Sequence, residues 1–579
     1  MSGDATALPN DQTVTQGAAE APPSPANSAS TKSFLGHAKL IGGLTLISRF
    51  AGLGREIIAG HFMGAQAVAG AFSVAFTIPN LFRKLFGEGA LSAAFIPLYA
   101  QAVKNDGAES ANAFASAAVN LLCIILLGIT IVGEAILAAL IWSHFAALPE
   151  TLLMLRLTAI MLPYVLLICG TAFLSGILQV HKRFGAPAAA PIILNVCHMA
   201  VLLVGAKILH LKAHTPTIQA EQLQTTLSYW LAAFVLVAGI LQFLTLLPAL
   251  RASGFRFQPV LHFWTPAIRK MLLLTAPVAI GAGVLQLSVL LDKAISFVLM
   301  QGETKSHQLI THFSFMGHLI RYPMEAGAPR RLEVAQFLYQ FPLGIFAIAL
   351  ATAIFPSLSS DALEKDRNRF RSVLRQGIEA SLWEGLPASL GLILVRGPAV
   401  KLLFLHGQIN AHQADLIAQS VFFYAGAIWA FSVLQIVNRA YYAVHDTVTP
   451  LVMSIVNIVI NLIVEIPLLW WLGESAMAVG TLVSFAIQAA IMLYMLDRRI
   501  GGLNLRGSVA PVVKMFCATV VMGMACVVMQ HLPIYPRGNT RGIWTSQLAL
   551  IIGTGSLVYL LATSVMGVNL MGKLRSRAS

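Results

Sequence analysis

Apolar runs of about 20 residues recur along the whole chain, each long enough to cross a bilayer as a helix. Short polar segments separate them. Reading the runs from one polar break to the next predicts fourteen spans. They lie at residues 36–62, 67–101, 113–143, 151–178, 187–209, 226–250, 266–300, 332–360, 371–396, 414–444, 449–472, 475–497, 508–531 and 544–570. A transmembrane β-barrel would show short segments of alternating polarity instead. The fold class is therefore an all-α polytopic membrane protein. An even count puts both termini on one side. With the termini inside, the basic clusters at 181–183, 364–375, 497–499 and 573–577 all fall on the cytoplasmic face.

Composition agrees with this pattern. Of 579 residues, 57% are hydrophobic and 11% charged, and the mean hydropathy is +0.76. A soluble domain carries about twice that charge. The net charge of +14 would suggest nucleic acid in a soluble protein. Here the cations sit in short loops, so they orient the chain and no nucleic-acid partner is expected. Cys123, Cys169, Cys197, Cys517 and Cys526 all lie in apolar runs without ligand spacing, which predicts neither disulfides nor a metal centre. Residues 1–33 are rich in Ala, Pro, Ser, Thr and Gln and lack a signal-peptide pattern, so they read as a disordered cytoplasmic tail. Residues 573–579 form a basic cytoplasmic tail.

The spans also repeat. "AAFIPLYAQA" (93–102) resembles "TAIFPSLSSDA" (352–362), pairing Pro97 with Pro356. "GILQVHKRFGAP" (176–187) resembles "RAYYAVHDTVTP" (439–450), read here as pairing His181 with His445. Both offsets are near 260 residues, six spans, so the repeat is parallel. Two six-helix bundles related by an axis along the membrane normal form a transporter architecture, with substrate between the bundles. The expected units are an N-terminal lobe at 34–250, a C-terminal lobe at 251–500 and two additional helices at 501–572.

Charges inside the spans carry the chemistry. A charged side chain in hydrocarbon costs at least about 2.5–3.5 kcal/mol on insertion scales, yet the first span holds Arg49, Arg55 and Glu56. Ser48, Gly52 and Arg55 share one helical face, and Arg49 and Glu56 a neighbouring one. Such a polar sector suits a cavity wall, the alternative being snorkelling to an interface. Pro79 and Gly87–Gly89 interrupt the second span, with Arg83, Lys84 and Glu88 between the breaks. Irregular backbone at that depth is tolerated where it lines a cavity or packs on protein. Guanidinium groups bind phosphate oxygens in pairs, so Arg49, Arg55 and Arg83 predict an anionic ligand for which a diphosphate is a good match.

The second bundle differs. Asp292 and Lys293 are adjacent in span 7, and Asn457, Asn461 and Glu465 form an oxygen-bearing stripe along span 11. Thr481 opens the polar part of span 12. Hard oxygen ligands suit Na⁺ or a proton relay. The alternative is an interhelical clamp in which Lys293 pairs with Asp292 or Glu465. His198 reads as a packing histidine, and Trp470–Trp471 as an outer interfacial belt.

Ser48-Arg49, Gly54-Arg55-Glu56 and "AFSVAFTIPNLFRKLFGEGALSAAFIPLYA" closely resemble the lipid II flippase family (MurJ, also called MviN), and "LQVHKRFGAP", "LDK", "FPSLS" and "YYAVHDTVTP" resemble its later signatures. The resemblance covers roughly residues 36–500. It implies two six-helix lobes and two extra helices forming a hydrophobic groove, as in the wider multidrug/oligosaccharidyl-lipid/polysaccharide exporter superfamily. It implies transport of lipid II, the undecaprenyl-diphosphate-linked peptidoglycan precursor, across the bacterial cytoplasmic membrane by alternating access in support of cell-wall synthesis. No enzymatic step is implied. Arg49, Arg55 and Arg83 match the family's cavity arginines. Asp292, Asn461 and Glu465, with Thr481, resemble its sodium-site positions, so Na⁺ or H⁺, or the membrane potential, is the implied drive. Membrane lipids and peptidoglycan-synthesis proteins are the implied partners of a monomer. Other lipid-linked oligosaccharide flippases and cation-coupled exporters of the superfamily are the rival readings.

Two departures stand out. Gly70 replaces an Asp found in some members. At the start of span 8 the family often reads "YADRL"; here "VAQFLYQFP" puts Phe337 at the arginine position. The preceding segment, 301–331, is long and holds His307, His312, His318, Arg321, Arg330 and Arg331. A span 8 extended at its N-terminus would bring Arg330, seven residues before Phe337 and nearly on its face, to the outer mouth of the cavity as a substitute cation; the alternative is that Arg330 and Arg331 are both solvated loop residues.

Overall fold

The computed structural model describes residues 25–85, 90–143, 148–212, 217–258, 264–304, 308–345, 347–363, 367–503 and 506–568. Residues 1–24 of the N-terminal tail, Glu88, His307 and the tail at 573–579 lie outside them. Helix α1 (Pro25–Met63) starts ahead of the expected lobe boundary at 34. The other helices are α2 (Ala67–Phe82), α3 (Ala90–Asn105), α4 (Gly107–Trp142), α5 (Pro149–Met161), α6 (Tyr164–Val180), α7 (Gly185–Ile208), α8 (Thr217–Ala252) and α9 (Pro266–Val298). The second half comprises α10 (Ala328–Ile345), α11 (Ala347–Leu363), α12 (Arg367–Phe404), α13 (Ala411–Gly426), α14 (Ile428–Ala443), α15 (Val448–Leu472), α16 (Ser475–Arg499), α17 (Arg506–His531) and α18 (Arg541–Val565).

Each expected span corresponds to one helix or to a broken pair. Among the described residues, nine helical segments are long and apolar enough to cross a membrane, or eleven if the bent pairs α5–α6 and α13–α14 each cross once. The remaining three expected spans are α1, α2–α3 and α9. They carry Arg49, Arg55 and Glu56, then Arg83 and Lys84, then Asp292 and Lys293. In α1 the charges lower the apolar character, whereas α2 and α3 are 16 residues each, shorter than a full span.

The repeat is written in the backbone. Left-handed residues close α1 at Gly64 and precede α10 at Gly327, follow α6 at Lys182 and α14 at His445, and follow α7 at His210 and α15 at Gly473. Each pair is 263 residues apart. Pro79 inside α2 and Pro342 inside α10 keep the same offset, and α5–α6 and α13–α14 bend by 43° and 42°. This corrects the sequence register by one residue. After α6 the Lys182 and Arg183 N–H groups donate to Gln179 and Leu178; after α14 the His445 and Asp446 N–H groups donate to Tyr442 and Tyr441. The equivalent of His445 is thus Lys182, and the imidazole of His181 had suggested the wrong neighbour. His181 instead reaches Tyr99 Oη, at 3.0 Å.

One hydrophobic core fills the N-terminal half and continues into α10, α13 and the α15–α16 turn. A second lies among α11, α12, α14 and α16. A third joins α17 and α18 to α12, where Tyr559 Oη donates to the Trp383 carbonyl at 2.7 Å. The long 301–331 segment contains two antiparallel hairpins, β1 (Gly302–Glu303) with β2 (Leu309–Ile310), and β3 (His312–Phe315) with β4 (His318–Arg321).

Candidate functional site

Between the two halves lies a cavity of about 410 Å³. From the first half it is lined by Arg55 and Glu56 of α1, Thr77, Asn80, Arg83 and Lys84 at the end of α2, and Asn195 of α7. From the second come Gln286 and Lys293 of α9 and Glu333, Gln336, Phe337 and Gln340 of α10. Pro79 lacks an N–H and cannot continue the helical ladder. The chain leaves α2 through a widened turn at Arg83–Leu85, which is where Arg83 and Lys84 meet the cavity.

At the end of the cavity nearest the Gly64 and Gly327 turns, an ion network joins the halves. Glu56 receives Arg55 of its own helix at 2.5 Å and Arg330 of α10 at 2.7 Å. Arg330 also pairs with Glu333 at 3.1 Å, and Lys293 lies 3.7 Å from Glu333. The Lys293 ammonium donates to Ser73 of α2 at 2.5 Å and to the Pro329 carbonyl at 3.0 Å. Glu56, Lys293 and Arg330 are buried. Buried charges persist where they are paired, and here the pairing crosses from one half to the other.

This arrangement revises several expectations. Lys293 pairs with neither Asp292 nor Glu465. Arg330 is a buried helical residue, because α10 starts four residues before the expected span. Arg49 does not line this cavity. It lies six residues, about 9 Å, back along α1, packed so tightly on Gly344 of α10 that any side chain at 344 would overlap its guanidinium. Ser48 contributes its carbonyl, which accepts from Asn195 Nδ2 at 3.3 Å. Phe337 sits across from Gly52, 4.0 Å from where a Cβ would stand. His198 is packed against Phe72 and Phe76, as a core histidine.

Sequence reading missed a second tie. Arg331, 1% exposed, binds both oxygens of Glu474 at 2.6–2.9 Å. It also donates to the carbonyls of Ala65, Ala326 and Glu325. One guanidinium thus holds the α1–α2 turn, the chain entering α10 and the α15–α16 turn together. The spacing of Arg331 and Glu474, 143 residues, leaves no local signal of the pair.

The oxygen stripe of α15 meets α9. Asn461 Nδ2 donates to Asp292 Oδ1 at 3.3 Å and to Glu465 Oε2 at 3.0 Å. Asn461 Oδ1 and Glu465 Oε1 are buried and accept no hydrogen bond from the described residues. An unmet buried acceptor costs about 1–3 kcal/mol, so oxygens converging in this way fit a small cation or a proton. Thr481 Oγ1 donates to the Met477 carbonyl of its own helix at 3.0 Å. Its neighbour Gly480 lies against the stripe, where a Cβ would fall 2.6 Å from Asn461 Oδ1.

An arginine-bearing cavity between two repeated bundles is a transporter site, and comparison with known proteins specifies which kind. Residues 59–536 match the family model described as lipid II flippase MurJ. This chain belongs to the MurJ lipid II flippase family. A probable lipid II flippase MurJ of Rhizobium tropici is 29% identical over 543 residues, covering 92% of this chain and 95% of the relative. The lipid II flippase MurJ of Burkholderia cenocepacia is 28% identical over 473 residues, covering 79% and 83%. Among solved structures, a lipid II flippase MurJ in an inward closed conformation superposes with a TM-score of 0.72 at 20% identity, covering 92% of this chain and 99% of that one. An inward-facing multidrug resistance MATE transporter of the MOP superfamily gives 0.58 at 14% identity over 81% and 99%. The fold is thus that of MurJ and MATE transporters. Membership of the MurJ family, with these spans, makes the chain a bacterial inner-membrane protein.

Proposed function

We propose that this chain carries lipid II from the inner to the outer face of the cytoplasmic membrane by alternating access, with both termini cytoplasmic. The interlobe cavity, with Arg55, Arg83, Lys84 and Lys293 on its walls, is the observation that supports this most directly. Arg55 and Arg83 hold the diphosphate, while the polyprenyl tail stays in the bilayer along α17 and α18. No covalent step is needed. Arg49 acts at the α1–α10 contact rather than on the same phosphate oxygens.

Glu56 supplies a release device. While the halves are joined at the Gly64–Gly327 end, taken as the outer end, Glu56 is shared between Arg55 and Arg330. Arg55 then keeps part of its charge for the substrate. When the halves separate there, Arg330 leaves with α10 and Glu56 neutralises Arg55 alone. Anion affinity falls on the side where the anion must leave, as a directional carrier requires. Asp292, Asn461 and Glu465 hold the coupling cation, Na⁺ or H⁺, whose return favours the inward-open state. Binding of lipid II to purified protein tests the site. Arg55→Ala and Arg83→Ala should each lower affinity at least tenfold, and Lys at either position should restore it only in part because the bidentate geometry is lost. Unchanged affinity in both Ala variants would overturn this assignment.

A further inference from the structure

Hairpin β3–β4 has no part in the cavity, yet its tip is unusual. Phe315 is 55% exposed, Met316 85% and Leu319 78%. The two-residue turn is Met316-Gly317, with φ of 49° and 80°. Such turns favour Asn-Gly or Asp-Gly, because both central residues are left-handed. A methionine there accepts backbone strain and gains no contact inside the protein. Its side chain has a use outside the fold.

The root of the hairpin fixes where the tip can reach. Trp470 Nε1 donates to the carbonyl of Arg321, the last residue of β4, at 3.1 Å. Trp470 ends an exposed stripe along α15 formed by Val452, Ile455, Val459, Ile463 and Ile466. Their spacing of three and four places them on one helical face, and in a membrane protein an exposed aliphatic face is the lipid-facing one. The stripe therefore runs up through the hydrocarbon and ends at a tryptophan at the level of the headgroups. The hairpin hangs from that tryptophan. His312, His318 and Arg321 are its exposed basic groups, and β3, β4 and their turn contain no acid.

The geometry points to the β3–β4 hairpin as an interfacial membrane anchor that inserts Phe315, Met316 and Leu319 into the outer leaflet, with Arg321 at the phosphates. Interfacial amphipathic helices bury their apolar side about 5–10 Å into the headgroup–acyl boundary, the same zone that the hairpin tip would enter. The hairpin leads through Pro323 and Met324 directly to Arg331, so the anchor fixes the chain entering α10 relative to the bilayer.

The test places probes at the tip of the full chain in vesicles of phosphatidylethanolamine and phosphatidylglycerol. A nitroxide on Met316→Cys, in a background lacking the five native cysteines, should collide more with oxygen than with a water-soluble nickel chelate. The same label on Glu303→Cys should show the reverse. A benzophenone amino acid at position 316 in the otherwise native chain serves as a second probe independent of the cysteine replacements. It should yield lipid adducts on illumination, where one at 303 yields none. A water-exposed label at 316, or no lipid adduct there, would overturn the anchor and leave a protein partner as the reading of the exposed tip.

Discussion

Glu56 sits between arginines of opposite halves, and this placement makes a sharp prediction. Glu56→Gln removes the charge that neutralises Arg55 after separation. It should bind lipid II more tightly than the unaltered protein while supporting growth poorly, as titration of the purified variant and complementation would read. Weaker binding would mean that Glu56 contacts the substrate side directly. Arg330→Ala should also reduce growth support, and Phe337→Arg should restore part of it by returning a cation to the cavity wall. At the proposed cation site, Asp292→Asn should abolish thermal stabilisation by Na⁺, or its pH dependence if the ion is H⁺. Glu465→Gln should add little to that loss, because residues of one site are not additive. Independent losses without ion dependence would mark a structural clamp. Arg55, Glu56, Asp292, Lys293 and Glu465 were legible, since each stands in an apolar run. Their partners were not. Lys293 turns from its neighbour Asp292 to Ser73, 220 residues away, because α2 offers a hydroxyl and α10 the Pro329 carbonyl and the Glu333 carboxylate where the helices cross.

Elements meet where small residues and turns let them. Gly480 brings α16 onto the Asn461–Glu465 stripe. Gly480→Ala should weaken cation-dependent stabilisation without removing a ligand, at an overpacking cost of about 1–3 kcal/mol. Loss of thermal stability with unchanged cation response would show that α16 only packs there. Arg331 and Glu474 hold three segments together at one end of the molecule. Glu474→Gln leaves a buried guanidinium uncompensated and should cost about 3–5 kcal/mol, whereas Arg331→Met combined with Glu474→Met should recover much of it. Melting temperatures of the three proteins check the pair. The helices were readable from apolar length, and the repeat from two short matches. The register at His445 was not readable, because a shared histidine weighed more than the turn geometry that actually equates it with Lys182. The early start of α10 was one of two readings, since Arg330 and Arg331 could equally be loop cations until their buried acids are seen.

At the scale of the molecule, two repeated bundles share one continuous core toward the end where α1 finishes and α10 begins. The ion network and the Arg331 tie lie at the same end. In the proposed alternating-access cycle these contacts and the opposite contact, Arg49 on Gly344 with Phe50 on Phe341, break in turn. The measurement that reaches furthest is the sidedness of lipid II in cells depleted of their own flippase and expressing this chain. Lipid II exposed on the outer face is cleaved by an enzyme added to spheroplasts. The expected result is loss of cleavable lipid II on depletion, recovery with this chain, and no recovery with Arg83→Ala present at equal abundance in the membrane. Failure of the unaltered chain to restore outer-face lipid II, or full recovery with Arg83→Ala, would contradict an arginine-gripped flippase.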